Sequence, residues 1–137
     1  MAASILVDAG FLVALLSRRD AHHQWAVVQA KRLPPPWYTC EAAVSEAFHL
    51  LGPAGSSPLV ALLRRQAVSI AFDLSAHGEA VLTLMEKYAD VPASLADMAL
   101  VRMTETMDGP RLLTTDADFK VYRRHGRQIV PIVFPGA

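Results

Sequence analysis

Short apolar runs bounded by turn signals alternate along this chain with longer segments of helical period, and that alternation restricts it to βα units around a mostly parallel sheet. Strands are expected at Ser4–Val7, Trp37–Thr39, Val68–Phe72, Arg111–Thr114 and Gln128–Val133. Helices are expected at Ala9–Leu16, Ala21–Arg32, Cys40–Leu51, Pro58–Gln66, Ser75–Tyr88, Leu95–Met107 and Ala117–His125. Pro34-Pro35-Pro36 end the second helix, and Gly52-Pro53-Ala54-Gly55-Ser56-Ser57, which has no periodicity, reads as a loop. At 137 residues and 53% hydrophobic, the chain suits one domain over residues 1–137 with a full core.

Asp8, Glu46, Asp97 and Asp116 stand inside or at the ends of apolar segments. A carboxylate beside a core costs several kcal/mol unless something positive meets it, yet no Lys or Arg lies within three positions of the first three acids. The simplest shared partner is a hard divalent cation, because Mg²⁺ or Mn²⁺ prefers oxygen ligands. Asp8 and Asp116 fall at the carboxyl ends of expected strands, the edge where open α/β sheets place ligand sites. Glu46 and Asp97 are expected on helices, whose fixed backbones can aim a side chain at that edge.

Each acid also has a plainer reading. Asp8 suits the N-cap of the first helix. Ser94-Leu95-Ala96-Asp97 satisfies the capping-box pattern, and either Asp116 or Asp118 can cap the segment after the fourth strand. Glu46 is harder to explain structurally, because Ala42, Ala43, Phe48 and Leu50 make its helix mostly apolar. Glu41, near the start of that helix, suits the macrodipole and is rotated from Glu46 by roughly 140°. The metal reading therefore rests on the combination.

Other features narrow the field. Formal charge is zero, so bulk attraction cannot hold a polyanion, although Arg18-Arg19, Arg64-Arg65 and Arg123-Arg124 with Arg127 form local groups. Taken alone, each such pair reads better as a solvated face. Cys40 is the only cysteine, which excludes an internal disulfide and fits a reducing cytosol. Met1-Ala2-Ala3-Ser4 lacks the basic residue of a signal peptide, and Phe11 to Leu16 is too short to span a membrane, so a soluble cytoplasmic protein is expected. The histidines form no zinc-hydrolase pair, and there is no phosphate-binding glycine loop or serine nucleophile elbow.

Four strings in order then resemble a PIN-domain nuclease, specifically the VapC-type toxins of bacterial toxin–antitoxin pairs. They are Ile5-Leu6-Val7-Asp8, Ser45 to Leu51, Tyr88 to Asp97, and Leu113-Thr114-Thr115-Asp116-Ala117-Asp118-Phe119. The resemblance implies a three-layer α/β/α sandwich with a central five-stranded parallel sheet. It also implies an acidic quartet of Asp8, Glu46, Asp97 and Asp116, with Asp118 as an accessory acid. Gly10 stands where similar proteins often have Ser or Thr, so a hydroxyl near Asp8 is expected to be missing. Met98 stands where Ala is common and is expected to crowd the metal or shift the pocket.

The expected activity is Mg²⁺- or Mn²⁺-dependent endoribonuclease cleavage, leaving, by family similarity, 5′-phosphate and 3′-hydroxyl ends. Asp8 and Asp97 are the expected main ligands, Asp116 a direct or water-mediated one, and Glu46 a ligand or the group orienting the attacking water. Without a cation, crowding should raise the pKa of one of these acids. Two rivals remain: a PIN-fold module that binds RNA or protein without cutting, and a phosphoryl-transfer protein with Asp8 as nucleophile. The second usually needs a lysine paired to the phosphate, and Lys31, Lys87 and Lys120 are not placed for it. The resemblance further implies a homodimer and a VapB-like antitoxin. Phe11, Leu15, Trp25, Leu59, Leu62 and Leu63 are candidates for its groove, with core filling as the alternative.

Overall fold

The computed structural model describes residues 3–136, so Met1 and Ala2, on which part of the signal-peptide reading falls, lie outside it. Strand β1 (Ser4–Val7) lies between β2 (Trp37–Thr39) and β4 (Pro110–Leu113), and pairs with both in parallel. Its side chains alternate: Leu6 enters one apolar cluster, while Ile5 and Val7 enter another on the opposite face. Burial on both faces is what a central parallel strand requires, and explains the uninterrupted apolar run.

Helices α1 (Ala9–Leu16), α2 (His23–Arg32) and most of α3 (Glu41–Arg64) supply the cluster around Val7. Helices α4 (Leu74–Lys87) and α5 (Leu95–Thr106) supply the cluster around Leu6. With β3 (Val68–Ile70) and β7 (Ile132–Val133), the sheet has five parallel strands in the order β3-β2-β1-β4-β7. Successive connections run outward from β1 through β2 to β3, and the chain then returns to the other side of β1 as β4. The order therefore reverses between β1 and β4, where a crevice opens at the carboxyl ends of the strands.

Several sequence expectations change in physical detail. Gly52-Pro53-Ala54-Gly55-Ser56-Ser57 is helical apart from Gly52, whose φ of 67° and ψ of −175° break α3 into two segments. Pro53 begins the second segment, where a missing N–H costs nothing. Pro58 is exposed, one turn farther in, and solvent reaches the exposed Ala54 beside it. The expected helix Ala117–His125 is only a 3₁₀ turn at Ala117–Lys120, followed by β5 (Arg123–Arg124), which pairs antiparallel with β6 (Gln128–Ile129). The expected strand Gln128–Val133 thus divides at Val130-Pro131 between this ribbon and β7.

Of the six apolar residues considered for a partner groove, three take the alternative role outright and three are half-buried. Phe11, Leu59 and Leu62 are buried in the α1–α3 core, and Leu15, Trp25 and Leu63 pack against it. Among the described residues, no helix is long and apolar enough to cross a membrane.

Candidate metal centre

The register of β1 and β4 puts Val7 opposite Leu113, so Asp8 and Thr114 are the next residues on two adjacent strands. The Thr114 hydroxyl donates to Asp8 Oδ2. The other Asp8 oxygen, Oδ1, accepts from Phe11 N at 2.8 Å as the N-cap of α1. Asp8 is 5% exposed. Burial, opposed by its two hydrogen bonds and reinforced by the charges of Asp116 and Asp97, raises its pKa to about 7.

Asp97 is held differently. It completes the capping box, with its backbone N donating to Ser94 Oγ at 3.0 Å and its Oδ2 accepting from Ser94 N at 3.3 Å. The same Oδ2 accepts from Tyr122 Oη at 3.2 Å. Among the described residues, Oδ1 accepts no hydrogen bond. Partial burial, and less strongly the charge of Asp116, raise the Asp97 pKa above the usual carboxylate value.

Asp116 caps the 3₁₀ turn, its Oδ1 accepting from Asp118 N at 2.9 Å. Its own backbone N donates to Thr114 Oγ1 at 2.9 Å, so one hydroxyl joins the acids that follow β1 and β4. Glu46 lies on the exposed face of α3, opposite the buried Ala43, Val44 and Ala47. Its helix is thus not apolar all round: one turn on, the exposed Leu50 shares the face of Glu46.

Asp8, Glu46, Asp97 and Asp116 all line a single cavity of about 120 Å³ at the crevice, together with Gly10, Ala96 and Leu100. Asp118 does not line it; its charge, with those of Asp97 and Asp116, helps raise the pKa of the Tyr122 hydroxyl. The capping and cavity-lining readings of Asp8, Asp97 and Asp116 therefore coexist. Among the described residues no three acidic, His or Cys side chains close around a point. The donor set still fits a hard divalent ion, because every available donor is a carboxylate oxygen and Mg²⁺ takes one or two carboxylates while keeping several waters.

Both anticipated departures resolve. Met98 is fully buried in the α4–α5 core and does not line the cavity. At residue 10 a Cβ would stand 2.6 Å from Thr115 Oγ1 and 3.5 Å from Asp8 Oδ1. A hydroxyl therefore does stand beside Gly10, contributed from the β4 side. Thr114, Thr115 and Tyr122 are the residues that sequence reasoning passed over. The signal for Thr114 was a polar side chain closing an apolar strand next to an acid. Nothing local marks Tyr122, whose contact with Asp97 is purely tertiary.

Cys40 is 2% exposed and burial raises its thiol pKa, which fits a packing role. Arg123 Nη1 donates to the carbonyls of Lys120, Val121 and Tyr122, and Arg124 donates to Thr104 O and Gln128 Oε1. Arg18 and Arg19 are exposed and line a cavity of about 460 Å³ that shares Leu50 with the acidic one.

Comparison with known proteins adds the family. The model of the family described as PIN domain matches residues 5–124. Among solved structures, the chain is similar to VapC20 of Mycobacterium tuberculosis, a toxin that cleaves the sarcin–ricin loop. The TM-score is 0.73 at 22% identity, covering 86% of this chain and 94% of that one. No curated protein matches the chain significantly.

Proposed function

This chain belongs to the PIN-domain family, and on that premise we propose that it is an Mg²⁺- or Mn²⁺-dependent endoribonuclease, the VapC-type toxin of a toxin–antitoxin pair. The observation that carries the reading is the single cavity lined by Asp8, Glu46, Asp97 and Asp116, which arrive from four separate segments at the switch point of the sheet. A divalent ion held there supplies neutralisation of phosphoryl charge and acidifies an attacking water.

Asp97, whose Oδ1 accepts no hydrogen bond among the described residues, and Asp116 are the most available ligands. Asp8 contributes charge and the remaining lone pairs of a carboxylate already fixed by Phe11 N and Thr114. Glu46, on the solvent side of the cavity, orients the water or completes the ligand set. Asp118 acts as the accessory acid through its charge, two residues beyond Asp116 in the cavity wall. Arg18 and Arg19 grip backbone phosphates beside the site, which positions RNA without reading its sequence. Of the arginine groups, Arg123 and Arg124 are occupied by backbone and side-chain acceptors. The protein works in the cytoplasm, as a homodimer, restrained by a VapB-like antitoxin.

Incubating structured RNAs with purified protein, with and without Mg²⁺ or Mn²⁺, tests the activity. Metal-dependent cleavage lost in Asp97→Asn supports it, whereas equal cleavage by both proteins identifies a contaminating nuclease. Co-purification with, and suppression of toxicity by, the product of an adjacent small reading frame tests the antitoxin. Light scattering at micromolar concentration tests the dimer. One observation favours a non-catalytic module: both Asp8 oxygens are already occupied, as in a purely structural cap. RNA binding without cleavage at millimolar Mn²⁺ is the outcome that would select it.

A further inference from the structure

Tyr122 is fully buried, yet its hydroxyl reaches the wall of the acidic cavity. Its ring is fixed edge-on between Tyr88, at a centroid distance of 5.1 Å, and Phe119, at 5.3 Å. Tyr88 is itself tied down, because its Oη accepts from Arg123 N at 2.8 Å. A phenol held this way has little freedom to turn, and its O–H needs an acceptor inside the protein. That acceptor is Asp97 Oδ2 at 3.2 Å.

Two donors, Ser94 N and Tyr122 Oη, thus converge on one oxygen of Asp97, while Oδ1 is left without a protein partner among the described residues. Without the phenol, Ser94 would be the one residue left holding the carboxylate, through its backbone N at 3.3 Å and its hydroxyl, and the carboxyl group would be freer to turn about its last bond. The same phenol follows the 3₁₀ turn that Asp116 caps. It therefore links the segment carrying one acid to the side chain of another.

We propose that Tyr122 is a positioning residue of the acidic site: its hydroxyl pins Oδ2 of Asp97 so that Oδ1 is presented to the cavity and to a divalent cation. The proposal rests on the metal-dependent reading given above. Groups that orient a ligand from behind typically change metal affinity or activity by roughly 10- to 100-fold when removed.

The test is Tyr122→Phe in the full chain, with Mn²⁺ binding measured by electron paramagnetic resonance and RNA cleavage followed as a function of Mn²⁺ concentration. Phe keeps the ring and its edge-on contacts, so the change removes only the hydroxyl. Leu84→Ala, in the same apolar cluster but outside the lining of the acidic cavity, serves as the comparison for general loss of stability. The expected result is Mn²⁺ affinity weakened roughly tenfold in Tyr122→Phe and unchanged in Leu84→Ala. Cleavage by Tyr122→Phe should return toward the wild-type rate at saturating Mn²⁺. Wild-type Mn²⁺ affinity in Tyr122→Phe, or equal weakening in Leu84→Ala, would overturn the positioning role while leaving the nuclease reading intact. A wild-type protein that neither binds Mn²⁺ nor cleaves RNA would overturn both.

Discussion

The two sides of the acidic cavity hold their carboxylates in opposite ways. On the β1–β4 side, Asp8 is buried, and its two oxygens are taken by Phe11 N and the Thr114 hydroxyl. On the α5 side, Asp97 is half-buried and uses one oxygen for Ser94 N and Tyr122 while the other accepts no hydrogen bond among the described residues. Both carboxylates help start a helix and both have raised pKa values; they differ in how many of their oxygens the protein engages. The same residue type thus has both oxygens engaged on one side of the cavity and, among the described residues, only one engaged on the other.

The largest expected effect tests whether both sides serve one site. Asp8→Asn and Asp97→Asn should each lower RNA cleavage by at least roughly 100-fold, because Asn keeps volume but removes the charge. Loss in one variant alone, measured by gel-based cleavage at fixed Mn²⁺, would assign the chemistry to one side of the cavity.

The next effect concerns stability and pH, and should separate the two acids. Asp8 titrates at about 7 in the folded protein against an ordinary value of 3.8. Between those values the native state keeps a proton that the unfolded chain has released, so stability of the metal-free protein falls as pH rises from about 4 to about 7. The loss is on the order of 4 kcal/mol if Asp8 acts alone, and the raised pKa of Asp97 adds in the same direction. Urea midpoints in the presence of a chelator should show this decline in wild type and a much shallower one in Asp8→Asn. Asp97→Asn should flatten it less. Saturating Mg²⁺ or Mn²⁺ should offset the decline, since an ion bound only by the folded form stabilises it.

Legibility from sequence differed between these sides as well. β1, β2 and α1 were readable to their ends, because apolar runs, a following acid and turn residues all agree there. The acids themselves were readable because carboxylates interrupt apolar strings. The segment after Asp116 was not: Ala117 to His125 has helix-compatible composition, but only a 3₁₀ turn forms before the chain pairs as β5 with β6. That pairing is tertiary, as is the Tyr122 contact with Asp97, so neither leaves a local period. The bend in α3 was half legible, since Gly52-Pro53 marks a break but gives no sign that a helix resumes at once. Glu46 was placed correctly on its helix but with the wrong surroundings, because alanines on two faces hide which one is buried.

Smaller effects probe the hydroxyls on the β1–β4 side. Thr114→Val leaves an Asp8 oxygen and Asp116 N without their shared partner, and should cost about 1–3 kcal/mol in chemical denaturation. Gly10→Ser places a Cβ against Thr115 Oγ1 and should cost about 1–3 kcal/mol. Adding Thr115→Ala should recover part of that loss, a non-additivity expected of touching side chains. Additive costs in the double variant would show that the two positions do not compete for the same space.

The most direct measurement is RNA cleavage by the purified chain across a titration of Mn²⁺, run beside Asp97→Asn and beside a chelator-treated sample. Cleavage should rise with Mn²⁺, vanish in chelator, return when the ion is restored, and be lost in Asp97→Asn at every concentration. Cleavage that persists in chelator, or that Asp97→Asn retains in full, would contradict a metal-dependent site built from these carboxylates.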